Sequence, residues 1–275
     1  MSKLLASYFS RLKKSKLFWA ECIFIFVLGL YLVGNKYWDL IKYKNAVQLD
    51  NGLFAYTIVI GFAMAMFCSL FLGTEYSDGT IRNKIVVGHP RIRIYFASLI
   101  VNLAAAFFMC LCFLIPVLVV GIFLVGPLEM EFQAVLGMLL GSFCLTAAFC
   151  AIFTMTSMVW SSKAAVAVTG MMWVVLFLAV AGIVNSKLEA PEYVTNYTMS
   201  ESGQLELYTE PNPKYLKDKE REIYQLIYDL LPTGQALQFA FLKVVNLWRL
   251  PLYSLFVFAV FTLLGSFLFV RKDIK

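Results

Sequence analysis

The chain has 275 residues, of which 61% are apolar, 16% aromatic and only 15% charged, with a net charge of +6 and a mean hydropathy of +0.77. Such a balance excludes an ordinary soluble domain and points to an integral membrane protein.

In chain order, residues 1–16 come first. Leu4, Leu5, Tyr8, Phe9 and Leu12 fall on one helical face, and Lys3, Ser7, Arg11 and Lys14 fall on the other, with Lys13 adding charge. This is the pattern of a helix lying in the membrane interface, basic face toward anionic lipid. Six apolar runs follow, at about 17–33, 53–72, 96–125, 134–159, 164–184 and 251–270. Each can cross about 30 Å of hydrocarbon, because a helix rises about 1.5 Å per residue. Pro116 within the third run predicts a tilt or kink. The first run is of full spanning length with no small-residue cleavage site behind it, so it is expected to stay in the mature chain.

Basic residues set the orientation, since segments retained in the cytoplasm keep Lys and Arg. One side holds Lys3, Arg11, Lys13, Lys14, Lys16, then Arg82, Lys84, Arg91, Arg93 and Lys163, and finally Arg271, Lys272 and Lys275. The other short loops hold Lys36, Lys42 and Lys44 against Asp39 and Asp50, then Glu129 and Glu131 without a base. Both termini are therefore expected in the cytoplasm, and 185–249 outside.

Little in the spans could do chemistry. All six cysteines lie within them, which suits packing between helices. Cys110 and Cys112 point to different faces, and His89 is the sole histidine, so no metal site and no catalytic residue is expected. An ion-coupled carrier needs titratable groups at mid-membrane, yet Glu21 is the one acid in a span and is expected to snorkel or pair near its end. Asn102 is expected to hydrogen-bond between helices. There is no nucleophile with its base, no zinc motif and no G-x-x-x-x-G-K-[ST] phosphate loop. Energy must then come from a partner.

Between the second and third runs lies "EYSDGTIRNKIVVGHPRIRIYFASLI". Asp78, Gly79 and Thr80 suit a turn and helix start, with Asp78 or Thr80 as cap. Ile81, Ile85 and Val86 would form the apolar face of a short helix, Arg82 and Lys84 its other faces, and Gly88 and Pro90 its end. This stretch resembles the segment after the second span in ABC-2-type permeases, the membrane subunits of ATP-binding cassette exporters. Glu75, Gly79, Thr80, Arg82, Lys84 and Arg91 fill the matching positions. The resemblance implies a cytoplasmic coupling helix that docks on a separate ATPase, which would carry the ATP and Mg while this chain binds no cofactor. It also implies a second permease, either another copy or a similar chain, and export rather than import. Glu75, at the lipid boundary, is expected to pair with Arg82, Lys84 or a base of the N-terminal helix.

In the external segment, residues 185–212 read as an irregular cap, with an Asn196-Tyr197-Thr198 sequon by pattern. From Pro213 the period is helical, with Leu216, Ile223, Ile227 and Leu230 on one face. Thr233 is expected to cap a partly inserted helix reaching about Leu247, an arrangement the resemblance supports. A candidate cargo path is offered by Met64, Met66, Phe67, Met171, Met172 and Trp173, since thioethers adapt to varied shapes.

The sequence thus predicts an all-α polytopic membrane protein. It has an N-terminal interfacial helix, six transmembrane helices, a coupling helix between spans 2 and 3, and partly inserted external helices before span 6. Its partners are membrane lipids, an ATPase and another permease, with no nucleic acid. Its cargo is an amphipathic peptide, antibiotic or lipid-like molecule. A membrane sensor or immunity component on the same scaffold, or a stand-alone channel, are the alternatives.

Overall fold

The computed structural model describes residues 1–43, 47–160, 162–199 and 205–273. Lys44 and Lys275, counted above in the charge pattern, lie outside the described residues. Helix α1 is Ser2–Lys14, and the six long helices are α2 (Lys16–Tyr43), α3 (Tyr56–Ser77), α5 (Arg91–Leu124), α6 (Phe132–Val159), α7 (Lys163–Leu188) and α10 (Arg249–Arg271). All six are long and apolar enough to cross a membrane. Between them lie the short α4 (Thr80–Val86), the strands β1 (Tyr193–Met199) and β2 (Leu205–Pro211), α8 (Asp218–Leu230) and α9 (Pro232–Ala240).

Several helices outrun their apolar stretches. Helix α2 continues ten residues past Val33 to Tyr43, because Asn35–Tyr43 contains no proline and the backbone ladder has no reason to stop. Helix α5 runs unbroken through a buried Pro116.

Helix α6 sits at the centre. Gly137, Gly141, Ala147, Ala148 and Ala151 are all buried along it and let neighbours approach closely. It packs most extensively against α10, and α3 packs on both α6 and α7, while α2 lies along α5. Polar groups inside the bundle find partners on other helices. Asn102 donates to Thr154 Oγ1 at 2.9 Å, and the Tyr56 hydroxyl donates to Ser142 at 2.7 Å. In hydrocarbon an unmade bond has no water to replace it, so these pairs fix helix register.

The segment after α7 departs from expectation. Residues 193–199 and 205–211 form an antiparallel hairpin rather than an irregular cap, with Tyr193 opposite Pro211 and Asn196 opposite Tyr208. The amide of the sequon's Asn196 donates to Glu210 at 2.7 Å. The predicted apolar stripe divides: Ile223 and Ile227 are exposed on α8 and Leu230 is half-buried, Leu216 ahead of the helix is buried, and on α8 itself Tyr228 and Asp229 are buried. Tyrosine rings at 224 and 228 pack on Ala181, Val184 and Leu188 at the end of α7, which turns the helix's more polar face inward.

Helix α9 is shorter than predicted, ending at Ala240 instead of near Leu247, and Leu242 turns the chain away with a φ of 55°. Its cap is Leu231, followed by Pro232 at the first helical position, so Thr233 is enclosed and does not cap. Helix α9 is packed among α3, α6 and α7. Thr57 Oγ1 donates to the Ala236 carbonyl at 2.8 Å. Gly141 presents bare backbone to Phe239, and a Cβ there would collide with the ring.

Candidate functional site

The end of the bundle that carries α4 is organised around Glu75, in the last turn of α3. Its side chain is 1% exposed. Enclosing a carboxylate costs several kcal/mol unless opposite charge and hydrogen bonds saturate it, and here three elements supply them. From α1, the Tyr8 hydroxyl donates to Oε2 at 3.0 Å, and the Arg11 guanidinium pairs with Oε1. From α4, Lys84 Nζ reaches Oε1 at 2.8 Å. From α5, the Ser98 hydroxyl donates to Tyr8 Oη at 2.8 Å and so backs the first contact.

Tyr8 and Arg11 stand three apart on α1 and thus lie side by side, which is why one helix delivers both. Arg11 also donates to Thr74 Oγ1 and, at 2.7 Å, to the Phe71 carbonyl, and its guanidinium lies 4.6 Å above the Phe71 ring. Lys84 is 3.6 Å above the Tyr8 ring. Burial pushes the Lys84 ammonium below its usual range, while the Glu75 charge pulls the other way. Burial, then the charge of Glu75, raises Tyr8 well above an ordinary phenol, so it remains a hydrogen-bond donor.

The turn into α4 depends on Gly79, whose φ of +67° is one that residues with a Cβ rarely adopt. Neither Asp78 nor Thr80 caps the helix. Asp78 accepts from Ser77, and Thr80 Oγ1 donates back to the Glu75 carbonyl at 3.1 Å. Ile81 is buried and Ile85 packs on the core, but Val86 is 78% exposed, so the predicted apolar face holds for two of its three residues. Arg82 points outward and takes no part in the Glu75 cluster.

Arg91 has a different job from the one expected of a docking residue. It donates to the Val270 carbonyl at 2.8 Å and to the Lys272 carbonyl at 2.5 Å, satisfying acceptors that the end of α10 leaves free. Lys272 donates to the Met158 carbonyl at 3.2 Å and lies 4.0 Å over the Tyr76 ring, with burial lowering its ammonium to about 8.

On α1 the sequence placed Arg11 with Lys3 and Lys14 on a basic outer face, with Lys13 as a further interfacial base. Lys3, Lys13 and Lys14 are exposed, but Arg11 turns in to Glu75. Tyr8 and Ser98 were not recognised as members of the site, because a tyrosine in an apolar stripe and a serine in a span both read as packing. Glu21 neither snorkels nor pairs: both its oxygens are buried without a hydrogen-bond partner among the described residues.

The six residues of the candidate path do not share one surface. Met64 and Phe67 are enclosed within the bundle, while Met66, Met172 and Trp173 are exposed on its outside and Met171 is half-buried.

The bundle of six spanning helices with α1 and α4 clamped at one end can be set beside known proteins. The sequence model for the ABC-2 family transporter protein matches residues 4–182, from the first turn of α1 into the last third of α7. A comparison with curated proteins gives no match. The chain is a multi-pass membrane protein and belongs to the ABC-2 family of transporter proteins, as a transmembrane transport subunit whose family works with an ABC ATPase.

Proposed function

We propose that this chain is the permease subunit of an ATP-driven exporter, that it pairs with a second permease, and that α4 is the helix through which a separate ATPase drives it. The observation that carries this reading is the Glu75 cluster, which binds α4 to α1 and to the end of α3. A push on a seven-residue helix linked only by chain would dissipate in its loops. A push on one held by a buried, charge-saturated acid moves α1, α3 and α4 as a unit.

The Glu75 end would lie in the cytoplasm of a bacterial cell, where the basic residues of that end belong, with both termini on that side and α1 in the lipid interface. ATP and Mg would be held by the ATPase, whose closure around nucleotide would press on α4. Arg82, Asn83, Val86 and Val87 are exposed there and available to meet it. The cargo we favour is an amphipathic peptide, antibiotic or lipid-like molecule, in keeping with an almost charge-free bundle.

The test is to purify the tagged chain from its native membrane, identify what accompanies it, and measure ATP hydrolysis by the complex for wild type and Gly79→Pro. Proline cannot take a φ of +67°, so α4 would be misaimed while the spans stay intact. The expected result is an ATPase that copurifies with the wild type and whose activity no longer responds to cargo in the variant. Recovery without any ATPase would overturn the reading in favour of a channel.

A further inference from the structure

The other end of the bundle holds another enclosed acid, and it is handled differently. Asp229, near the end of α8, is 3% exposed. Its Oδ1 accepts the side-chain amides of Gln225 at 2.8 Å and Gln238 at 2.9 Å. Gln235 donates to the Asp229 backbone carbonyl at 2.6 Å, and Ser254 donates to Gln235 Oε1 at 2.5 Å. Each of the three amides gives one hydrogen, and the bonds fix the rotamers. They leave Gln238 Oε1, in a side chain 2% exposed, without a partner. Among the described residues no Lys or Arg lies within ion-pair distance of Asp229. The result is two adjacent buried acceptors, one of them charged, with neutral support and no cation.

Both residues line open space. Asp229 lies in a cleft of about 890 Å³, and Gln238 in a neighbouring one of about 140 Å³ that shares Arg221, Gln225 and Val245 with it. Around the larger cleft, Lys217, Arg221 and Arg249 are all exposed at the rim, while Asp229 is enclosed. Glu192 and Glu222 also line it, so the signs balance and neither a bare cation nor a bare anion is favoured by net field. Leu226 lines the cleft and, with Ile223 and Ile227, belongs to the outward apolar stripe of α8, so an apolar surface runs directly from the cleft's edge.

The geometry points to this cleft as a binding site for a primary-ammonium zwitterion. The ammonium would give its hydrogens to Asp229 and Gln238, and the phosphate or carboxylate would meet Arg221 and Arg249. Three features of the site favour that combination. The unpartnered buried atom, Gln238 Oε1, is an acceptor beside a carboxylate, so the inner group must donate. One acceptor is an uncompensated carboxylate, so the donor must be cationic. The rim carries guanidinium groups, which match a phosphate or carboxylate through paired N–H donors. The zwitterion could be free or could be the head of a lipid whose tails follow the α8 stripe. The inference stands on the cleft alone and does not depend on export or on an ATPase.

The experiment uses the purified full chain in a non-ionic detergent and follows thermal unfolding. It is titrated separately with free phosphoethanolamine and with short-chain phosphatidylethanolamine. Phosphatidylcholine and phosphatidylglycerol of the same chain length serve as comparisons, the first having no N–H to give and the second no cation. A saturable rise in Tm with an ethanolamine compound is expected, with choline and glycerol heads at least tenfold weaker. Response to the free compound identifies a soluble zwitterion, and response to the lipid alone identifies a lipid head. Asp229→Asn should weaken half-saturation at least tenfold, and Arg249→Gln, at an exposed side chain, severalfold. No saturable shift with either ethanolamine compound, an equal response to choline, or an unchanged Asp229→Asn would overturn the assignment. If Asp229→Asn does not purify folded, an unchanged Arg249→Gln would do so.

Discussion

Glu75 and Asp229 are both enclosed acids, 1% and 3% exposed, at opposite ends of one bundle, yet the first takes Arg11, Lys84 and Tyr8 while the second takes the amides of two glutamines. An acid neutralised by the protein's own cations is a joint, since moving any partner exposes charge. An acid supported by neutral donors beside an open cleft retains a field that a visiting cation can satisfy. The same residue chemistry therefore marks a rigid end and a receptive end, and what separates them is whether the fold supplies the counter-charge.

The largest effect that could break this contrast belongs to Glu75→Gln. It strands Arg11 and Lys84, and loss of one member of a buried ion pair costs about 3–5 kcal/mol. Arg11 is 34% exposed and can rehydrate, so the lower end of that range is expected. Thermal unfolding in detergent reads it, and a variant that melts with the wild type would mean the cluster is no joint. Next comes Gly141→Ala, which pushes a methyl group into the Phe239 ring. Overpacking of this kind costs about 1–3 kcal/mol. Limited proteolysis should show the segment around α9 loosening while the Glu75 end stays protected, and equal loosening at both ends would deny that they are separate units.

Gly79→Ala is a smaller and sharper probe. No heavy atom lies within 4 Å of the Cβ position, so its cost is backbone strain alone, about 1–2 kcal/mol. It should alter ATPase stimulation far more than the melting temperature. The smallest effect is expected of Arg82→Ala, an exposed side chain outside the cluster, at within about 0.5 kcal/mol. Any change it makes should appear only in affinity for the ATPase, measured by copurification, and a large loss of stability would place Arg82 in the joint after all.

The spans were legible because hydrocarbon demands long apolar runs, and Glu75 was legible because an acid at a span's end needs a partner. Its actual partners were half hidden. Arg11 was assigned to the outer face of α1, but three residues after Tyr8 it stands at the edge of that face, where a long stem carries its guanidinium to a buried acid. The hairpin carried a signal that was missed: five of the seven residues of "YVTNYTM" are Tyr, Val or Thr, types that favour strands. The inward side of α8 was not readable from period alone, since the stripe of Ile223 and Ile227 says which residues are alike and not what they face. Asp229, Gln235 and Gln238, polar residues amid "YDLLPTGQALQFA", were not singled out, because nothing in their spacing shows that a hinge at Leu231 folds α9 back to bring them together.

The bonds from Arg91 to the carbonyls of Val270 and Lys272 join positions 179 and 181 residues apart. During synthesis Arg91 enters the membrane region long before its acceptors exist, and α6 likewise waits for α10, its most extensive neighbour. The bundle therefore cannot be finished in the order in which it is made. Its early helices must be held as a loose set, by the insertion machinery or by lipid, until the last one arrives and locks the start of α5 in place. A ribosome-bound chain halted before Arg249 should accordingly be sensitive to membrane proteases along α6 and the start of α5, which α10 covers, and the finished chain should not.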